Sequence, residues 1–389
     1  MQSRYLDTSS KFIIVVALLM VLGNYYFLYF VDFNQGVVSN SSPYWHLVKV
    51  IATTLLLFSL LRPKLKKAIN PIDFLLLLVL FLFFIIFLFK SSLLNLHVNN
   101  YMFINTLMLL VPFLIFYTNK NFGRIVFLFD TALKILVIQI LLDVVIYLYG
   151  YSLWNNKAFI GGLGNPSSFG MACNIFLLYN LILNVKMRKT SRTVVTLILL
   201  CGVFMSSALL PLLISVFIIS FWGILTKSYS LLILTMLLAV FHRYILSDHL
   251  IYKIQSLVNG DMVDVSASIS TRSDAYNLFI ERITESSIEL TLFGYSDFIY
   301  YVADSQFLVY VGSFGVIAAL LFFIVVAIYI GLSLTARNPV ANFSAAGLSI
   351  LFITFFVNRI LDYYPLTLFF VLFIILSQRS KYIYENWIR

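Results

Sequence analysis

The sequence predicts an all-α, polytopic membrane protein of about twelve transmembrane helices (ten to twelve), and three observations carry that class. Only 11% of the 389 residues are charged and 61% are hydrophobic. A soluble domain averages about 25% charged residues, so this chain could not solvate its own surface in water. Apolar runs of about 17–25 residues recur from end to end, each long enough to cross a hydrocarbon core of about 30 Å. Positive charge gathers in every second connection between those runs. Residues 1–389 read as one integral-membrane domain.

Taken in order, the runs lie near residues 12–31, 44–61, 72–89, 101–117, 125–148, 167–185, 193–208, 209–226, 229–246, 307–332, 342–358 and 363–378. The first, Phe12 to Val31, follows Arg4 and Lys11 and lacks a small-residue cleavage site, so it reads as a retained span. The seventh and eighth meet at Ser206-Ser207-Ala208, so tightly that a re-entrant hairpin is the alternative to two spans.

Charge orients the bundle. With the N-terminus inside, the cytoplasmic connections carry RPKLKK (62–67), Lys120, Arg124, KMRKTSR (186–192), Lys227, Arg337, Arg379 and Lys381. With Arg4, Lys11 and Arg389 these make 17 of the 26 basic residues, a bias that sets N-in and C-in. The net charge of +10 is then mostly a topology signal and a contact with anionic headgroups of the membrane lipid. Nucleic-acid binding needs a basic patch on a folded face, and the sequence shows none.

One connection is long. Residues 247–303 form a polar outer loop between spans nine and ten, and with Asp304 at its end it holds nine of the sixteen acidic residues. Loops of that length are usually functional or disordered. Thr271-Arg272-Ser273-Asp274 reads as a capping box, and Tyr276, Phe279, Ile280 and Ile283 follow at helical spacing. An amphipathic helix over about 271–290 is therefore expected, with Glu281, Arg282 and Glu285 on its charged face. Cys173 and Cys201 fall inside spans, which argues against a disulfide framework. His46, His97, His242 and His249 show no ligand spacing, so no metal is expected. In the fifth span Asp130 and Lys134 stand four apart on one face, where an internal ion pair is the first expectation. Asp143 lies nearer that span's outer end.

Several stretches resemble, in order and spacing, those of the Wzy O-antigen polymerase and O-antigen ligase families. "GGLGNPSSFG" (161–170) resembles their glycine–asparagine stretch, and "STRSDAYNLFIERI" (270–283) resembles the loop arginine before an aromatic helix. "LFGYS" (292–296) is similar to their glycine turn, and "ADSQFLVYVGSFGVIAALLFF" (303–323) to the segment running into the next span. "NRILDYYPLTLFFVLFIIL" (358–376) matches the closing segment. The motifs cover about the last 230 residues, and the topology covers the chain. Two departures stand out. Asp304-Ser305 occupies the place of the ligase His-Asn pair, and Ser206-Ser207-Ala208 lacks the arginine often found at that junction.

The resemblance implies an inverting, metal-independent glycosyltransferase without a cofactor, at the outer face of a bacterial inner membrane. Its substrate would be an undecaprenyl-pyrophosphate-linked oligosaccharide, and a chain-length regulator protein would be a further partner. The leaving pyrophosphate needs a fixed cation, and Arg272 suits it, with two parallel hydrogen bonds and a permanent charge. The same arginine could instead pair with Asp274 and hold the loop closed. Arg243 and Arg359 are further substrate-binding candidates that could equally snorkel to headgroups, and Arg359 could instead pair with Asp362 three residues on. Asp304 could take the proton of the attacking hydroxyl, while Asp304 or Ser305 could also cap the tenth span. Gln306 and Asn165 could hydrogen-bond sugar hydroxyls, and Tyr295, Tyr300 and Tyr301 could stack on a sugar ring. The rivals are the ligase itself and a lipid-linked oligosaccharide flippase or other transporter.

Overall fold

The structure is a computed structural model. It describes residues 8–23, 30–32, 37–39, 43–60, 71–92, 122–149, 166–182, 188–227, 305–335, 339–356 and 364–385, with 276–281, 288–294 and isolated positions between them. These residues are overwhelmingly helical, as the composition predicts. The exception among them is a short antiparallel hairpin, β1 (Phe30–Asp32) on β2 (Val37–Ser39), with Val31 opposite Val38.

That hairpin corrects the first predicted span. Helix α1 (Thr8–Leu22) stops well short of Val31, and Phe30 and Val31 belong to the strand. The stretch YYFLYF (25–30) is aromatic and hence favourable to β structure as well as to lipid, so hydrophobicity alone could not end the helix.

The chain divides into two compact units. The first takes residues 1–63, 119–255 and 372–389. It contains α1, α2 (Pro43–Leu60), α4 (Phe122–Leu148), α5 (Pro166–Ile182), α6 (Lys189–Met205) and α7 (Leu209–Leu225). The second takes 64–118 and 256–371 and contains α3 (Pro71–Ser92), α8 (Ile288–Phe293), α9 (Gln306–Phe314), α10 (Val316–Leu334) and α11 (Pro339–Ile353). Helix α12 (Tyr364–Glu385) gives its residues to Val371 to the second unit and the rest to the first.

In the first unit α5 lies at the centre. Every side chain from Ser168 to Ile182 is buried, and α5 packs on α4, α6 and α7. Phe129 of α4 meets Phe176 and Tyr179 of α5 at 5.5 and 4.9 Å between ring centres. Helices α6 and α7 have 17 residues each, about 26 Å at 1.5 Å per residue. The joint between them is as tight as its sequence implies: Ser206 ends α6, Ser207 turns at φ +50°, and Ala208 is extended before α7 begins.

The second unit is built on aromatic rings. Phe83 of α3 stacks on Phe314 of α9 at 4.3 Å and meets Tyr310 edge-on at 5.6 Å. Phe322 and Phe323 of α10 continue the cluster to Phe352 and Phe355. Such pairs add about 0.5–1.5 kcal/mol beyond area burial, which gives the abundant phenylalanine a structural use. The run FLFFIIFLF (81–89) accordingly has two faces: Phe83 and Ile86 are buried, while Phe81, Ile85 and Leu88 are exposed.

Exposed apolar residues recur at helical spacing elsewhere. Ile317, Leu320, Leu321, Ile324 and Ile328 line the outer face of α10, and Ile138, Leu141, Leu142 and Val145 line that of α4. Among the described residues one helix, Gly123–Ile146, is long and apolar enough by itself to cross a membrane; shorter apolar helices of 10–17 residues include Thr8–Leu22, Leu209–Leu225 and Val316–Ile328. The predicted runs at 101–117 and 229–246 lie almost wholly outside the described residues.

Candidate functional site

The second unit gathers several of the sequence motifs at the beginning of α9. The predicted span at 307–332 is two helices, because Gly315 sits at φ +84° between α9 and α10. Gly294, at φ +79°, ends α8. The two glycines cross closely: a Cβ on Gly315 would stand 1.8 Å from the Leu292 carbonyl oxygen, and one on Gly294 would stand 2.4 Å from the Gly312 oxygen. Only glycine allows both the left-handed backbone and the contact. LFG (292–294) and GSFG (312–315), separate motifs in the sequence, are therefore one backbone crossing.

The break in the helix exposes carbonyls that need partners. Lys90, buried at the end of α3, donates from Nζ to the Ser313 oxygen at 2.7 Å. A cation at a helix C-terminus also interacts favourably with the aligned peptide dipoles. Phe89, beside Lys90, packs on Phe293 of α8 at 5.3 Å.

At its other end α9 is capped by Ser305, whose Oγ accepts from the Leu308 N–H at 3.4 Å. One of the two readings of the Asp304-Ser305 pair is thus met by Ser305. Around this cap two further pieces of chain converge, the late loop at Tyr276 and the stretch 355–358. The Gln306 N–H donates to the Asn358 oxygen at 3.2 Å. Ser305 Oγ lies 3.3 Å from the Phe355 oxygen and 3.1 Å from the Tyr276 hydroxyl. Tyr276 itself donates to the Phe356 oxygen at 2.9 Å. Each hydroxyl has one proton, so Tyr276 serves Phe356 and the Ser305 proton goes to Phe355 or Tyr276.

Tyr276 belongs to the late loop. Residues 276–281 are helical, as expected within 271–290. Phe279 is buried, whereas Ile280 is 56% exposed and does not share that inward face. Glu281 and Glu285 are exposed, in keeping with the charged face.

Of the residues proposed from sequence, Gln306 lies in this cluster and is fully buried. Arg272, Asp304, Arg243, Arg359, Asn165, Tyr295, Tyr300 and Tyr301 lie outside the described residues. Lys90 and Tyr276 were not singled out as functional residues. The signal for Lys90 was a single cation ending an apolar run; for Tyr276 nothing local marked its partner 80 residues away.

The first unit has its own polar interior. The expected Asp130–Lys134 pair is replaced: Lys134 is exposed, and Asp130 takes a hydrogen bond from Tyr179. Asp143, fully buried, accepts from Gln139 Nε2 at 2.7 Å. Asn174 donates to the Pro211 oxygen at 2.8 Å, and Asn180 to the Arg192 oxygen and to Thr196 Oγ1 at 3.1 Å each. Arg124, buried in the first turn of α4, donates to the Ser59 oxygen of α2. Cys173 and Cys201 are free thiols. Among the described residues no three of His, Cys, Asp and Glu stand together as metal ligands.

No protein-family model, curated protein or solved structure matches the chain.

Proposed function

We propose that this chain is a Wzy-type polysaccharide polymerase of the bacterial inner membrane, with its site at the periplasmic face beneath the 247–303 loop. The fold would be the N-in, C-in bundle of ten to twelve spans expected from the charge pattern. Helices with one packed and one exposed apolar face support the membrane setting, because large exposed apolar faces are otherwise interaction surfaces or aggregation liabilities.

The observation that carries the reading is the convergence at α9. The loop segment that follows Arg272 in sequence is tied to Ser305, the residue after Asp304. In the proposed reaction the bond from the anomeric carbon of the growing glycan to its phosphate oxygen breaks. A bond from that carbon to a hydroxyl of the incoming lipid-linked repeat forms, with inversion. Undecaprenyl pyrophosphate departs with the bonding electron pair, and the hydroxyl proton passes to Asp304. Arg272 would stabilise the charge developing on the leaving oxygen, a contribution of about 3–4 kcal/mol for one well-placed donor.

The test is a gel profile of surface polysaccharide from a strain lacking this gene, complemented with wild type, Arg272→Ala or Asp304→Asn. A single repeat on the surface lipid after deletion, and a ladder restored by wild type but by neither variant at normal protein level, is the expected result. Loss of every repeat would move the assignment to a flippase, and untransferred long lipid-linked polymer would move it to a ligase.

A further inference from the structure

We propose that Tyr276 is a positioning residue: its hydroxyl latches the late-loop helix onto Ser305, the cap of α9, and so fixes where the segment that follows Arg272 in sequence meets the residue that follows Asp304. This rests on the polymerase reading for its consequence in turnover, but the latch itself rests only on the geometry.

Tyr276 is half-buried and its hydroxyl touches two separate pieces of chain, the Ser305 side chain 29 residues away and the Phe356 carbonyl 80 away. Ser305 in turn reaches Phe355 and the Leu308 N–H. One phenol therefore joins the loop, the cap of α9 and the 3₁₀ turn Thr354–Phe356. Close by in sequence, Phe279 is a buried anchor of the same helical segment. At the far end of the segment the backbone packs closely at the Gly294–Gly315 crossing, where a Cβ on either glycine would strike the backbone opposite. The loop segment 276–294 is thus fixed at two points of different strength. The glycine crossing is a close backbone contact, while the Tyr276 contacts are hydrogen bonds that can exchange. A hydrogen bond of ordinary strength shifts an opening equilibrium by a factor of about ten.

The chemistry needs such a point. A reacting pair misplaced by about 1 Å loses about a hundredfold in rate, and Arg272 and Asp304 come from different parts of the chain. Tyr276→Phe removes only the hydroxyl and leaves the ring, so the fold is retained; elution and melting like wild type verify this.

The test uses the full chain in nanodiscs of phosphatidylethanolamine and phosphatidylglycerol, with hydrogen–deuterium exchange read on peptides covering 276–281. Wild-type amides are expected to be protected, and Tyr276→Phe to exchange about tenfold faster. Ser305→Ala is expected to speed exchange too, and the double variant to exchange no faster than the product of two independent effects. On the lipid-linked repeat extracted from a deletion strain, Tyr276→Phe should lower kcat with little change in KM. Unchanged exchange in Tyr276→Phe overturns the latch. Faster exchange with wild-type kcat overturns the positioning role. Faster exchange in a chain whose wild type makes no polymer supports the latch and sinks the polymerase reading instead.

Discussion

In the first unit several buried polar side chains join one helix to another: Tyr179 of α5 to Asp130 of α4, Asn174 of α5 to Pro211 of α7, Arg124 of α4 to Ser59 of α2. In the second they join the places where helices stop. Lys90 binds the carbonyl before the break at Gly315, Ser305 caps α9, and Tyr276 reaches the 3₁₀ turn after α11. The sequence distances differ as well. Arg124 to Ser59 spans 65 residues, whereas Lys90 to Ser313 spans 223. A hydrogen bond between two packed helices adds to contacts that already hold them. One at a joint sets the direction of the chain that follows. Removing such a hydrogen bond in the first unit should therefore cost stability, and removing one at a joint of the second should cost turnover.

The largest effect is expected at the crossing, where the contact is steric and its loss costs the fold itself. Gly315→Val places a branched side chain at φ +84° against the Leu292 carbonyl, and more than about 4 kcal/mol is expected, enough to abolish folded protein. Monodisperse Gly315→Val in detergent, at wild-type yield, would contradict the crossing. Next comes Asn174→Asp, which replaces the donor to Pro211 with a buried carboxylate and should destabilise by about 3 kcal/mol. A thermal scan should register that loss, while turnover per folded molecule stays at the wild-type value. Ser305→Ala removes the cap for about 1 kcal/mol and should lower turnover out of proportion to that loss. Equal losses in folded yield and turnover would erase the distinction drawn between the two units. Smallest is Asp130→Asn, which keeps an acceptor for Tyr179 and should move the melting midpoint less than Tyr179→Phe, itself worth about 1 kcal/mol.

Much of the helical content was legible. The apolar runs at 44–61, 72–89, 125–148, 209–226 and 363–378 recur as α2, α3, α4, α7 and α12 within a few residues, save that α12 continues to Glu385. Their lengths follow from hydrophobicity, a property summed over many residues. The misreadings occur where one residue or one distant partner decides. Gly315 breaks a run that is apolar enough on both sides to read as one span, because backbone conformation and a contact with Leu292 choose the place. Asp130 meets Tyr179, 49 residues on, in preference to Lys134 four residues on, because tertiary packing outweighed local spacing. Ile280 is exposed where Phe279 is buried, since neighbours on a helix stand about 100° apart and only one of the two can face inward. Of the candidate site, the neighbourhood was legible in the polar stretch around Ser305 and Gln306. Its assembly was not, because the Tyr276, Phe355, Phe356 and Asn358 contacts join segments that no local pattern pairs.

The most direct measurement is reconstitution. The single-repeat lipid-linked intermediate, extracted from a strain lacking this gene, would be incubated with the purified full chain in nanodiscs and followed by mass spectrometry. The account predicts lipid-linked products spaced by one repeat mass, with one undecaprenyl pyrophosphate released for each bond formed and none with Arg272→Ala. A repeat that stays single while the protein is folded and its late loop protected would contradict it.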